Sequence, residues 1–323
     1  MLQDSEPAND HSNSLRNLSH EKEPRPHLVY TIAFDPPGST TMRTLAKLLA
    51  SSLTRTHFPG HVTVFRNSPS PLFLMRRHGL NEIFVEAPAC HSGQPYCSAM
   101  SWKYEARHWI DGRNYDKIMF LDADCLVLRN LDHLLADGGF ISPSSNIERD
   151  CSSPNSQIRE ATTRSHWDIL YQEEHGCAIQ GEFFNNYLTA LEMKHLKRPG
   201  INSGTWAVRG SIYNEVMEEW AAIDRGQRLR REGWGDQSAW NRLILDVEAR
   251  TQHQAGAWRT KKFEAHEIQF PLHLNMDFRN YRHAAILHAV GGSAEEKVAF
   301  LQTMYLGQFF ADPSGLFLSF LDM

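Results

Sequence analysis

Short apolar runs alternate with stretches of helical period from Leu28 to Asp124, and this alternation restricts the fold more than any other feature of the sequence. The runs at residues 28–34, 61–65, 82–85 and 117–121 have the length and composition of buried strands. Between them, residues 42–53, 71–78 and 98–110 read as helices. Strand, helix and strand in repetition predict crossover units and a mainly parallel sheet. The expected class is therefore α/β, with a first half of nucleotide-binding type. A chain of 323 residues leaves room for two domains, but one sheet of this kind accommodates the length, and a single domain is expected.

The second half is less regular. Residues 144–200 are polar and mixed in sign, which predicts an excursion from the sheet that carries substrate contacts, with one short helix near 184–193. A strand is expected at 202–208 and a helix at 212–223 capped by Ser211. A second helix is expected at 237–247 with Asp236 at its amino end, and a last buried strand at 284–288. Ser293-Ala294-Glu295-Glu296 has the form of a capping box opening a helix toward Tyr305. The folded domain is accordingly placed at residues 27–306. A polar, disordered tail is expected at 1–26, and an apolar tail that packs on the core at 307–323.

Charge and cysteine content narrow the function. A net charge of −5 opposes sequence-independent nucleic-acid binding, so no nucleic-acid partner is expected. The five cysteines are odd in number and form no C-x-x-C pair, which suggests neither a disulfide framework nor a zinc site and fits a reducing, cytoplasmic setting. No apolar stretch is long enough to predict a transmembrane segment.

The chemistry concentrates where the fourth run ends. Asp122 and Asp124 close the run Lys117-Ile118-Met119-Phe120-Leu121 with Ala123 between them. Two residues apart on an extended chain, both carboxylates project to one side, at the strand end where open parallel sheets bind ligands. Such a pair can hold a hard divalent cation whose open positions accept diphosphate oxygens. It can also simply cap the following turn. Asn202 and Gly204 suit sugar hydroxyls and a close-lying ligand, or a polar turn at a strand start. Asp236 and Gln237 suit a reacting centre or a helix cap. His288 ends an apolar strand ahead of Gly291 and Gly292, a pair that lets backbone amides approach a diphosphate.

Taken in order, these blocks resemble the glycogenin and galactosyltransferase-like retaining glycosyltransferases, family 8, whose fold is the single-domain GT-A type. The resemblance spans most of residues 28–292 and is close only in short blocks. It implies a glycosyltransferase that moves a hexose or pentose from a UDP-sugar to a hydroxyl acceptor with retention, using Mn2+ or Mg2+. It assigns the metal to Asp122, Asp124 and His288, and the reacting centre to Asp236 and Gln237. Donor contacts are expected from Lys103, Asp122, Ala123, Asn202, Ser203, Gly204 and Gly291, with Thr31, Ala33 and Asp35 toward the base and ribose.

The family usually carries a Lys three residues beyond the Gly of His288-Ala289-Val290-Gly291. Ala294 stands there, so Lys297, Arg279 or Arg282 is expected to take its place at the diphosphate. A nucleotide-sugar-binding homologue without turnover is the alternative that this departure favours. A haloacid-dehalogenase-like phosphatase also uses an apolar strand followed by Asp-x-Asp, but Leu126 stands where its pattern wants Thr or Val.

Overall fold

The computed structural model describes residues 24–73, 78–86, 95–136, 166–179, 189–228, 235–254, 256–270 and 284–311. The core is a seven-stranded sheet made of β1 (Leu28–Ala33), β2 (His61–Arg66), β3 (Leu80–Phe84), β4 (Lys117–Leu121), β6 (Ile169–Ala178), β7 (Pro199–Arg209) and β8 (Thr260–Lys262). Their order is β3-β2-β1-β4-β7-β6-β8. Only β7 runs against its neighbours, antiparallel to both β4 and β6, so the sheet is mostly parallel as the alternation predicts.

After β1 the chain moves outward to β2 and β3, then crosses to the other side of β1 to form β4. The order thus reverses between β1 and β4. At such a point the flanking connections leave in opposite directions and open a crevice beyond the strands' carboxyl ends. Asp122 is the first residue past β4.

The two faces of the sheet are covered differently. One carries an aromatic cluster, with Trp206 stacked on Phe120 at 5.5 Å between centroids and Trp220 against Trp240 at 4.7 Å. Helices α2 (Pro95–Glu105), α5 (Tyr213–Arg228) and α6 (Gly235–His253) contribute to this cluster. The opposite face is aliphatic: Val29, Met119 and Leu121 meet Leu49 and Leu53 of α1 (Thr41–Arg55). There a small second sheet forms from β5 (Cys125–Val127), β9 (Ile268–Gln269) and β10 (Ile286–His288), in the order β5-β10-β9. Buried Ser52 of α1 joins them by accepting from the amide of Val127 at 3.0 Å. Helix α7 (Ala294–Ala311) packs beside α1, the short α3 (Asp132–Leu135) adds Leu134 and Leu135 to the aliphatic core, and the short α4 (Ala190–His195) is largely exposed.

Several expectations need correction. Residues 169–178 fall within the expected excursion, yet they form β6, inside the sheet. Their Gln172-Glu173-Glu174 interrupts the apolar signal, because this strand extends toward the polar crevice rather than through a core. Around the expected helix at 71–78, the described residues 71–73 and 78 are not helical. The Glu82 carboxylate instead accepts from the amides of Leu72 and Phe73 at 2.7 and 2.9 Å. Ser211 lies inside a 3-10 turn, Gly210–Ile212, and caps nothing. The last helix continues through residue 311, so the expected boundary at 306 falls within it. Residues 1–23, 137–165, 181–188 and 312–323 lie outside the described residues, and with them most of the expected tails and of the helix at 184–193. Among the described residues no helix is long and apolar enough to cross a membrane.

Candidate active site

β4, β7 and β10 converge on the crevice. β4 and β7 are paired as far as Leu121 and Thr205, after which the Asp122 amide still donates to the Gly204 carbonyl at 2.8 Å. On its other edge β7 follows a different register. Trp206 faces Tyr171 of β6 and the next pair is Asn202 with Gln172, so Ser203, Gly204 and Thr205 stand unopposed. A bulge of this kind bends the strand and re-aims its side chains. Here it turns the Asn202-Ser203-Gly204 block toward the end of β4.

Gly204 shows how tightly the site closes. A Cβ at this position would lie 2.2 Å from Asp122 Oδ2, 2.4 Å from His288 Cε1 and 2.9 Å from Asn202 Oδ1. Only glycine leaves that space open. Asn202 Oδ1 accepts from the Gly204 amide at 2.7 Å, which fixes the turn from within.

On one side of this space is a closed ionic cluster. The Lys103 ammonium, from the end of α2, lies 3.3 Å from Asp122 Oδ1 and 2.9 Å from Asp236 Oδ2. It is also 3.2 Å from Ser203 Oγ and 3.3 Å from the Ser203 carbonyl. The Ser203 hydroxyl donates to Asp236 Oδ2 at 2.9 Å. Burial works against the ammonium, but the two carboxylates outweigh it and hold Lys103 above the usual lysine range. Gln237 extends the cluster outward, accepting from the Ser203 amide at 3.4 Å and donating to Glu174 of β6 at 3.0 Å.

The other side is open in a chemical sense. His288 ends β10 opposite Cys125 of β5, and its side chain is 3% exposed. Its Nε2 is 3.2 Å from Asp124 Oδ1 and 3.7 Å from Asp122 Oδ2. Despite that proximity, among the described residues buried Asp124 Oδ1 has no aligned hydrogen bond, and neither has His288 Nδ1. Lys297, on the first turns of α7, reaches Asp124 Oδ2 at 2.6 Å. Burial disfavours the Asp124 carboxylate, yet His288 and Lys297 outweigh it and keep its carboxyl well below the usual range. The Cys125 thiol is pushed up by burial and by the charges of Asp124 and Asp122.

His288 Nε2 lies within 3.7 Å of both carboxylates, but among the described residues the group whose ligand atoms all fall within 4.8 Å of one another is Asp124, Cys125 and His288, with Asp122 outside it. Asp124 Oδ1 is buried with only a poorly aligned approach from His288 Nε2 among the described residues, which leaves it an acceptor suited to a cation. These residues fit a metal.

Not every expected contact faces the crevice. Thr31 is buried in β1, its hydroxyl without a hydrogen-bond partner among the described residues. Ala33 and Ala123 belong to the aliphatic core, so only their main chains are available to a ligand. Asp35 is partly committed to α1, since its Oδ1 accepts from the Met42 amide at 2.7 Å while Asn67 binds its main chain on both sides. Its buried Oδ2 has no partner among the described residues, and burial raises its carboxyl despite the Met42 and Arg43 amides. Gly291 and Gly292 adopt positive φ (82° and 71°) in the exposed turn between β10 and α7. The Ser293 box is formed in full, with Ser293 N to Glu296 at 2.6 Å and Glu296 N to Ser293 Oγ at 3.2 Å, and it aims Lys297 inward. Arg279 and Arg282 lie outside the described residues.

Sequence reasoning missed Asn241. Fully buried on α6, its amide accepts from the Ile201 N–H at 2.7 Å and donates to the Ile201 carbonyl at 2.6 Å and the Gln237 carbonyl at 2.8 Å. It acts as a strand partner where β4 has ended, and so seats Asp236 and Gln237 against the bulge. The available signal was an amide one turn after Gln237 on an otherwise apolar helix face. The chain matches no protein-family model and no curated protein.

Proposed function

We propose that this chain is a divalent-metal-dependent glycosyltransferase of the GT-A type that uses a nucleoside-diphosphate sugar, UDP-linked by family resemblance. The observation that carries the reading is the approach of His288 Nε2 to both carboxylates, 3.7 Å from Asp122 Oδ2 and 3.2 Å from Asp124 Oδ1, at the crevice between β1 and β4. When bound there, a manganese or magnesium ion supplies neutralisation of the charge that develops on a departing diphosphate.

The chain's own residues account for the rest. Lys297 is the nearest cation to Asp124 and sits one helical turn past Ala294, which supports it as the diphosphate-binding lysine. The turn at Gly291-Gly292 brings main-chain amides within the same region. Asp35 Oδ2, beyond the end of β1, is an unused buried acceptor for a ribose hydroxyl or a base N–H.

Asp236 faces the transferred sugar in this reading. Lys103 and Ser203 both donate to its Oδ2, which fixes the carboxylate's rotation and leaves Oδ1 for the substrate. A carboxylate bonded to an ammonium is a weaker nucleophile, so the geometry favours stabilising an oxocarbenium-like sugar over covalent attack. Gln237 and Glu174 flank that position and are the groups placed to orient an acceptor hydroxyl.

Titration calorimetry of UDP in the presence of Mn2+ tests the assignment. The wild type is expected to bind and Asp124→Ala to show no metal-dependent heat. Equal binding by both proteins, or none by either, overturns the reading. Metal-dependent hydrolysis of UDP-glucose, UDP-galactose or UDP-xylose then separates an enzyme from a binding protein.

A further inference from the structure

Cys125 plays no part in the reading above, yet it starts the strand that follows Asp124. Antiparallel pairing sets it directly opposite His288, and opposed residues in such a pair project to the same face. The ligand atoms of Asp124, Cys125 and His288 all lie within 4.8 Å of one another. Tetrahedral bonds of about 2.0–2.3 Å to zinc place neighbouring ligand atoms roughly 3.3–3.8 Å apart. Asp124 Oδ1 and His288 Nε2 are close to that spacing at 3.2 Å. The sulfur has to close by only about an ångström. Its contact with Thr205 Oγ1, at 3.9 Å, is too weak to hold it back.

The donor type differs from that of the proposed hard-cation site. Carboxylates and water suit magnesium and manganese, whereas thiolate with imidazole selects the zinc class, which also binds such sites more tightly than manganese. We infer that Asp124, Cys125 and His288 form a second, softer ligand set in the same cradle, which captures a thiophilic divalent cation and displaces the hard one. The inference rests on the reading of Asp124 and His288 as metal ligands and adds inhibition by zinc-class cations. On capture, the Cys125 S–H proton leaves to solvent and a sulfur lone pair forms the metal bond, with no change of oxidation state. Asp122 drops out of the set and keeps its pairing with Lys103.

Cobalt(II) serves as the spectroscopic probe for zinc, in the full chain with Cys90, Cys97, Cys151 and Cys177 replaced by Ser, so that Cys125 is the sole thiol. A sulfur-to-cobalt charge-transfer band is expected to saturate at stoichiometric cobalt and to bleach on adding zinc. Adding Cys125→Ser removes the band and weakens cobalt binding by about tenfold or more, while calorimetric Mn2+ affinity is retained. Cobalt binding without the band, or undiminished in the Cys125→Ser protein, overturns the inference. Should that variant fail to fold, the band in the parent protein decides. A cobalt band with no Mn2+ binding by the wild type defeats the hard-cation reading and leaves the soft set standing.

Discussion

The two halves of the crevice hold their charges in opposite ways. On the β7–α6 side, Lys103, Asp122, Asp236 and Ser203 satisfy one another in a closed cluster. On the β5–β10–α7 side, Asp124 and His288 sit close together without an aligned hydrogen bond, and Lys297 alone makes a firm contact. Both halves carry a lysine, but Lys103 bridges two carboxylates whereas Lys297 pairs with one oxygen of Asp124 and leaves the other to a loosely aligned His288. The difference suggests a division of labour. On the proposed reading, the closed half would position a carboxylate and an amide for the sugar, and the other half would receive the cation and diphosphate.

The harshest way to break this contrast is to remove the closed half's counter-ion. Lys103→Met leaves two carboxylates facing each other across the space it filled, one of them on the nearly enclosed Asp236. Stability is expected to fall by about 3–5 kcal/mol in urea unfolding. A loss under about 1 kcal/mol would show that the cluster is not the closed unit described here. Asn241→Leu strikes the same half from behind, leaving the Ile201 N–H and carbonyl buried without a partner. A cost of about 2–3 kcal/mol is expected, together with a drop in turnover as Asp236 and Gln237 lose their seat.

Gly204→Ala sharpens the contrast, because its effects should separate. Its three closest neighbours are all side-chain atoms that would have to shift, so the expected stability cost is about 1–3 kcal/mol. The displaced atoms belong to Asp122 and His288, so Mn2+ affinity should fall far more than stability. Unchanged Mn2+ binding would move the cation site elsewhere.

The smallest effect concerns pH. The Asp124 carboxyl is held below its ordinary range, so its contribution to stability is present above the unfolded value of about 3.9 and is lost as pH falls through the lower folded value. Lys297→Ala removes one cause of that depression. Its urea midpoint is expected to decline less steeply than the wild type's as the pH drops below about 4. Identical acid limbs would separate Lys297 from Asp124.

Legibility in the sequence followed distance along the chain. β1, β2 and β4 were readable from apolar runs, and the helix around Leu45, Leu49 and Leu53 from its period. The capping box at Ser293 was readable because both of its hydrogen bonds close within three residues. β6 was not, since Gln172-Glu173-Glu174 carries the polarity of the crevice it enters. Cys125 gave no sign of facing a ligand set, because its partner lies across a strand pair formed with residue 288.

By itself the sequence determined the alternation of strand and helix, the two carboxylates at a strand end, and the identity of the groups able to meet there. These depend on local periodicity and side-chain chemistry. Only the tertiary structure decided that Lys103 stands between Asp122 and Asp236, that the β7 bulge presents Gly204, and that Asn241 serves as a missing strand. Each of these joins segments from different elements, and some are a hundred residues or more apart in the chain. Sheet order and register bring them together, and no local pattern records either.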